Sequence, residues 1–218
     1  MLDNKKAVIF DLDGTLADSM WIWRQIDLDF FESRSIEVPP TFQQDIEGMS
    51  FSETAQYFID TFHLPETLNQ LMSIWNQSAL HHYRTDVVLK EGALDFLCYL
   101  KEQGYLLGIS TSNSRLLLDI FLNHNQIKPY FDALTTSDEV KRGKPAPDVY
   151  LCTARKLRVK PNECLVFEDL PMGIRAGLNA GMEVCAVEDS YSCDLRETKL
   201  ALAQYYMNSY KELLDQIR

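Results

Sequence analysis

The order of hydrophobic and polar residues predicts short buried strands that alternate with amphipathic helices. An unbroken apolar run at 7–10 is typical of a strand buried on both faces of a parallel sheet. Further strands are predicted at 106–110, 133–136, 164–167, 184–187 and, at the edge of the sheet, 204–207. Helices are predicted at 92–103, 114–125, 147–157, 171–180 and 211–217. This alternation indicates an α/β fold, a Rossmann-like parallel sheet with helices on both faces.

Residues 17–84 follow a different pattern, because their apolar residues have helical spacing and no strand pattern appears. The spacing predicts one helix over 20–34. A capping-box sequence, Ser-Phe-Ser-Glu, opens a second helix at 50–62, and a proline suited to a first helical turn opens a third at 65–83. We therefore predict a small all-helical domain inserted directly after the first strand.

The composition fits this division into two parts. The chain has 218 residues, of which 46% are hydrophobic and 24% charged. That is enough for one sizeable hydrophobic core and a small second domain. We predict a core domain made of residues 1–16 and 85–218, and a helical domain made of residues 17–84.

The net charge of the chain is −11, from 21 basic and 32 acidic residues. Nucleic acids and anionic membranes are bound through clustered lysine and arginine, so this charge argues against both as partners. The five cysteines form no CxxC pair, and the sequence shows neither a signal peptide nor an apolar run of transmembrane length. We expect a cytoplasmic protein. The sequence leaves its oligomeric state open, with a monomer as the expected form.

Two carboxylates, Asp11 and Asp13, directly follow the first predicted strand. Open α/β sheets bind their ligands beyond the carboxyl ends of the strands. Two unpaired negative charges there repel each other, and a hard divalent cation such as Mg²⁺ relieves that repulsion through oxygen ligands. An Asp-Gly turn is the simpler alternative explanation. An EF-hand is excluded, because the later ligand positions of its loop are absent.

The string Asp11-Leu12-Asp13-Gly14-Thr15 after a buried strand resembles the first motif of the haloacid dehalogenase-like superfamily. The resemblance implies that Asp11 is a nucleophile toward phosphoryl groups and that Asp13 is the general acid and base. It also implies that Mg²⁺ is the cofactor and that Gly14 and Thr15 lie against the phosphoryl group.

A second polar string, Thr111-Ser112-Asn113, lies between the strand predicted at 106–110 and the next helix. A helix N-terminus offers free N–H groups and a positive dipole end, which favour a phosphate. Simple helix capping by serine and asparagine is the alternative. The resemblance places Thr111 on the second motif, which binds the phosphoryl group, with Ser110 as an alternative register. Ser112 and Asn113 are further candidates for phosphate contact.

Lys144 lies between a glycine and a proline, just ahead of the helix predicted at 147–157. An ammonium fixed in this way neutralises both a phosphoryl oxygen and the Asp11 carboxylate. The string around Lys144 resembles the third motif of the superfamily.

Adjacent carboxylates, Glu168 and Asp169, follow the strand predicted at 164–167. Acidic residues ahead of a helix are also favourable caps. The string resembles the fourth motif of the superfamily. This resemblance implies that Asp169 holds the metal together with the Asp11 carboxylate and the backbone carbonyl of Asp13. Glu168 is either a direct ligand or a support for one.

The inserted helices match the superfamily more loosely. Their position after the first motif is that of a C1 cap, and Gly48 and Met49 resemble part of the loop that gives such a cap its specificity. Trp21, Trp23 and Arg24 lie where the cap faces the site. Packing inside the cap is the simpler explanation for the two tryptophans.

These motifs together predict a Mg²⁺-dependent phosphatase that hydrolyses a small phosphorylated metabolite through an aspartyl-phosphate. One alternative is a sugar phosphomutase of the β-phosphoglucomutase type, whose cap supplies a histidine and a lysine; spacing places Trp23 and Ala79 at those positions here. A non-catalytic phosphate-binding module is the second alternative, and it leaves the complete motif set unexplained. The predicted catalytic residues are Asp11, Asp13, Thr111 and Lys144. The predicted metal ligands are Asp11, Asp13, Glu168 and Asp169.

Overall fold

The computed structural model describes residues 1–217 and contains one six-stranded parallel sheet. Its strands are β1 (Ala7–Phe10), β2 (Leu106–Thr111), β3 (Ala133–Thr136), β4 (Cys164–Glu168), β5 (Glu183–Val187) and β6 (Tyr205–Met207). Their order across the sheet is β3-β2-β1-β4-β5-β6. The predicted α/β fold is confirmed, and each predicted strand end lies within one residue of the observed one.

The described part of the chain contains ten α-helices. They are α1 (Met20–Ser33), α2 (Phe42–Ile46), α3 (Phe51–Phe62), α4 (Leu68–Thr85), α5 (Ala93–Glu102), α6 (Arg115–His124), α7 (Asp148–Leu157), α8 (Pro171–Asn179), α9 (Arg196–Leu202) and α10 (Tyr210–Ile217). Within residues 1–217, no helix combines the length and the apolar character that a membrane crossing requires.

The predicted start of α4 at residue 65 is wrong, because a stronger cap lies just beyond it. The Thr67 side chain accepts from the Gln70 backbone N–H, and Gln70 Oε1 accepts from the Thr67 N–H at 2.8 Å. This reciprocal pair satisfies two N–H groups at the helix end, and the helix begins at Leu68. The short helices α2 and α9 were not predicted.

The site is positioned by the central strand, β1. Phe10 at its end pairs with Ile109 of β2 on one side and with Phe167 of β4 on the other. The chain builds β2 and β3 on one side of β1, and then returns to build β4 to β6 on the other. In open α/β sheets, ligands bind at the carboxyl ends of the strands beside such a reversal, which here is the end of β1.

Helices α1 to α4 follow β1 directly and pack around an aromatic cluster. The ring centroids of Phe58 and Trp75 lie 4.8 Å apart, and Phe30 and Phe31 lie 5.3 and 5.5 Å from Phe58. These buried rings hold the four helices together, and they are continuous with the hydrophobic cluster on one face of the sheet. The division at residues 16/17 and 84/85 stays a prediction, and we call helices α1 to α4 the cap.

The two connections between cap and core run side by side. The Asp18 N–H donates to the Val88 carbonyl at 3.0 Å, and the Lys90 N–H donates to the Leu16 carbonyl at 2.9 Å. Ala17 and Leu89 form an antiparallel bridge between them. The chain therefore leaves and re-enters the core at one place.

Candidate active site

Four charged side chains meet at the carboxyl edge of the sheet, beside the ends of β1 and β4. Lys144 Nζ donates to Asp11 Oδ1 at 2.6 Å and also to Glu168 Oε1. One carboxylate oxygen from each of Asp11, Glu168 and Asp169 lies within 4.8 Å of the other two. Tyr150 on α7 donates a further hydrogen bond to Glu168 Oε1 at 2.6 Å. One ammonium group thus contacts two of the three carboxylates, and the third, Asp169, lies beside them.

Burial and mutual repulsion perturb these charges. Burial raises the pKa of Asp11 well above its ordinary value, although the Lys144 ammonium acts to lower it. Burial, followed by repulsion from Glu168, raises the pKa of Asp169 to about 7. Burial acts to lower the pKa of Lys144, but the two carboxylates that it contacts outweigh this effect and raise it. The cluster is therefore stabilised by any further positive charge.

The Asp169 carboxylate has one paired oxygen and one unpaired oxygen. Thr15 Oγ1 donates to Asp169 Oδ1 at 2.9 Å, whereas Oδ2 is buried and has no hydrogen-bond partner among residues 1–217. Gly14 has φ +76°, and a Cβ there would overlap the Asp169 carboxylate. A cradle of oxygen donors with surplus negative charge fits Mg²⁺.

The Asp13 side chain is held by four hydrogen-bond donors and is not part of the carboxylate cluster. Its Oδ1 accepts from Ser19 Oγ at 2.6 Å, from Trp23 Nε1 at 3.4 Å and from the Tyr83 hydroxyl. Its Oδ2 accepts from Asn113 Nδ2 at 2.8 Å. The predicted contribution of Asp13 to a metal site is thus left to its backbone carbonyl.

The hydrogen bonds at the end of β2 distinguish Ser110 from Thr111, the two candidates for the second motif. Ser110 Oγ is hydrogen-bonded to Thr153 Oγ1 at 2.7 Å, inside the core. Thr111 Oγ1 instead accepts from the Asn113 backbone N–H at 3.0 Å, at the end of the strand. Ser112 Oγ is buried and unpaired among the described residues. Thr111 therefore lies on the site side of the strand end, beside the residue that contacts Asp13.

Comparison with known proteins agrees with these motifs. The profile of the haloacid dehalogenase-like hydrolases matches residues 8–187, which include all four motifs. The chain belongs to this family. Its cap, inserted after the first motif, is of the C1 type.

Similar proteins include two from Escherichia coli. The fructose-1-phosphate phosphatase YqaB is 38% identical over 195 residues, which cover 86% of this chain and 98% of the relative. Hexitol phosphatase A is 30% identical over 198 residues, which cover 84% of this chain and 82% of the relative. The crystal structure of β-phosphoglucomutase from Clostridium difficile superimposes with a TM-score of 0.80 at 23% identity, covering 96% of this chain and 93% of that one. This last likeness shows the shared fold.

The cap of this hydrolase lies against the core through the predicted specificity loop. A Cβ at Gly48, which has φ +82°, would meet the Lys144 backbone carbonyl oxygen at 2.7 Å. Glu47 Oε1 accepts from the Met172 N–H at the start of α8 at 3.0 Å. Met49 beside them is half-buried. The loop therefore contacts two segments of the core, the one that carries Lys144 and the start of α8.

The three cap residues predicted to face the site, Trp21, Trp23 and Arg24, differ in their contacts. Trp23 packs edge-on against Phe51 at 6.1 Å, and its Nε1 contacts Asp13. Trp21 instead donates its N–H to the Asp18 carbonyl at 3.1 Å, and Arg24 is exposed. Of these cap residues, Trp23 alone has a described contact with a predicted catalytic group.

Several residues at the site were not assigned to it from the sequence. Tyr83 and Tyr150 donate to Asp13 and Glu168 as described above. Ser192 Oγ donates to the Asp169 carbonyl at 3.1 Å, and the fully buried Lys199 donates to Ser192 Oγ at 3.0 Å. They lie in helices or in the loop after β5, outside the four motifs, where such residues look like ordinary core or surface positions.

Proposed function

We propose that this hydrolase is a Mg²⁺-dependent phosphatase that acts on a small phosphorylated sugar or polyol. The observation that carries the proposal is that Asp11, Lys144 and Asp169 lie together at one edge of the sheet. Asp13 follows Asp11 by two residues. Two similar proteins are named a fructose-1-phosphate phosphatase and a hexitol phosphatase, which supports the substrate class.

The chemistry that we propose has two steps. In the first, an Asp11 oxygen attacks phosphorus, the bond from phosphorus to the leaving oxygen breaks, and Asp13 gives that oxygen a proton. In the second, a water molecule attacks the aspartyl-phosphate and gives a proton back to Asp13, which frees phosphate and restores Asp11. Lys144 lies within reach of Asp11 and neutralises charge on the phosphoryl oxygens.

Asp11, Asp169 and the backbone carbonyl of Asp13 would hold Mg²⁺, with Glu168 beside them. When bound, the ion would supply positive charge that offsets the repulsion between the carboxylates and the phosphoryl group. The cap contacts the core beside this edge of the sheet, and a cap held there would keep bulk water away from the reacting groups.

The mutase alternative gains no support at its two distinguishing positions. Trp23 occupies the position of the histidine and contacts Asp13, and it has no charge to offer a second phosphate. Ala79 occupies the position of the lysine and is fully buried in α4. Neither residue supplies the charge-assisted hydrogen bonds that a sugar bisphosphate requires.

The proposal is tested by release of inorganic phosphate from fructose 1-phosphate, hexitol phosphates and glucose 1-phosphate in the presence of Mg²⁺. We expect hydrolysis of a sugar or polyol phosphate by the parent and none by Asp11→Asn. Asp3→Asn, a change at an exposed residue, serves as the matched control and keeps parental activity. Conversion of glucose 1-phosphate to glucose 6-phosphate with little free phosphate would favour the mutase instead. An Asp11→Asn variant as active as the parent would contradict the nucleophile.

A further inference from the structure

Tyr83 connects the cap to the proposed acid and base, Asp13. It lies near the end of α4, is fully buried, and its hydroxyl contacts Asp13 Oδ1. The same hydroxyl contacts Trp23 Nε1 at 3.1 Å and Asn113 Nδ2 at 2.9 Å. A phenol hydroxyl keeps its proton at neutral pH, so Tyr83 can donate one hydrogen bond and accept others.

The direction of each hydrogen bond in this network follows from the donors. The Trp23 indole N–H can only donate. The Asn113 amide is oriented because its Oδ1 accepts from the Ser114 N–H at 2.6 Å, which turns its NH₂ group toward Tyr83 and Asp13. Two N–H groups thus occupy the lone pairs of the Tyr83 oxygen. Its own proton points to Asp13 Oδ1.

The two oxygens of Asp13 are consequently unlike. Oδ1 accepts from the hydroxyls of Ser19 and Tyr83, and more weakly from the Trp23 N–H, which it shares with the Tyr83 oxygen. Oδ2 accepts from one donor, on Asn113. A carboxylate oxygen has about two acceptor positions, so Oδ1 has none left for a proton or a leaving group, whereas Oδ2 has one.

We infer that Tyr83 is a positioning residue for the reaction, which makes Asp13 Oδ2 the oxygen that exchanges the proton. The inference rests on the proposed phosphatase function. When the bond from phosphorus to the leaving oxygen breaks, the proton on Oδ2 passes to that oxygen and leaves Asp13 ionised. The attacking water later returns a proton to the same Oδ2. Tyr83 and Trp23 belong to the cap, so the orientation of the acid depends on cap contact.

The test compares two leaving groups in Tyr83→Phe, a variant that removes only the hydroxyl. An alkyl phosphate such as fructose 1-phosphate requires protonation of its leaving oxygen, whereas p-nitrophenolate leaves without a proton. We expect kcat/KM for the alkyl phosphate to fall by about 10–100-fold, a fraction of the usual contribution of acid catalysis. For p-nitrophenyl phosphate kcat/KM falls by less than about threefold, and KM for both substrates stays close to the parental value.

Tyr57→Phe is the matched control, because Tyr57 is a cap tyrosine that also donates to an aspartate, Asp45, at 3.0 Å. It should leave both substrates unaffected. Equal losses on both substrates in Tyr83→Phe, or no loss on either, would overturn the inference. If Tyr83→Phe does not fold, Trp23→Phe is the second variant, because it removes the N–H that contacts the Tyr83 hydroxyl and Asp13 Oδ1. It should show the same difference between the two substrates, with a smaller loss. If the two substrates are affected equally, the inference fails. Absence of phosphatase activity in the parent would contradict the proposed function instead.

Discussion

Replacement of Asp169 by asparagine should stabilise the metal-free protein in a pH-dependent way. Burial and the neighbouring carboxylate raise the pKa of Asp169 from 3.8 to about 7. In the unfolded chain the group has its ordinary pKa, so between these values the folded state holds a proton that the unfolded state has lost. Stability is therefore lost as pH rises from about 4 through about 7.

The magnitude follows from the size of the shift. A shift of roughly three pKa units corresponds to about 4 kcal/mol, since one unit is worth about 1.4 kcal/mol. The asparagine side chain of the variant cannot ionise, and it keeps an acceptor for Thr15. In EDTA, Asp169→Asn should equal the parent within about 1 kcal/mol at pH 4 and exceed its stability by about 4 kcal/mol at pH 8.

Denaturant unfolding of both proteins at each pH, in EDTA and in Mg²⁺, measures this difference. Mg²⁺ should stabilise the parent more at pH 8 than at pH 5, and it should stabilise Asp169→Asn much less. Asp95→Asn, at an exposed position of α5, is the control and should follow the parent. The same dependence of stability on pH in Asp169→Asn and the parent would refute the reasoning.

Two further predictions concern the metal. EDTA should abolish phosphate release, and Mg²⁺ should restore it. Ca²⁺ should inhibit, because a larger ion with looser geometry misplaces the phosphoryl group. Full activity after extensive dialysis against EDTA would refute the oxygen cradle. Gly14→Ala should lose Mg²⁺ affinity in titrations followed by thermal unfolding, since its Cβ overlaps the Asp169 carboxylate. Gly104→Ala is the control, because Gly104 has a similar φ of +83° but a Cβ there would meet no atom within 4 Å. It should lose about 1–2 kcal/mol of stability and keep its Mg²⁺ affinity. Equal Mg²⁺ affinities of the two variants would contradict the overlap.

The core of the site was predictable because its residues lie at the ends of strands. Asp11, Thr111 and Glu168 each end or follow a strand whose apolar run is visible in the sequence. Neighbouring parallel strands bring their carboxyl ends together, so local patterns determine a three-dimensional cluster. Lys144 was recognisable because glycine and proline around it predict a fixed loop.

The cap side of the site was not predictable in the same way. Tyr83 lies 70 residues from Asp13 in sequence, and nothing in the local pattern of α4 separates it from the buried aromatic residues nearby. Trp23 also donates to the hydroxyl of this distant tyrosine, and the local pattern of α1 does not reveal that contact. Helix α2 has five residues, too few for a hydrophobic period to be visible, and its position depends on packing of Phe42 against Phe31.

The paired connections of the cap bear on how such an enzyme changes its substrate over evolution. Because Asp18 and Val88 are hydrogen-bonded neighbours, the 69 residues from 19 to 87 begin and end at adjacent points on the core. A different segment with equally close ends can occupy that place without displacing a strand of the sheet. The groups that we propose to attack phosphorus and the groups that surround the rest of the substrate thereby become separately exchangeable modules. A graft of a relative's cap between residues 18 and 88 is the natural form of that exchange in the laboratory.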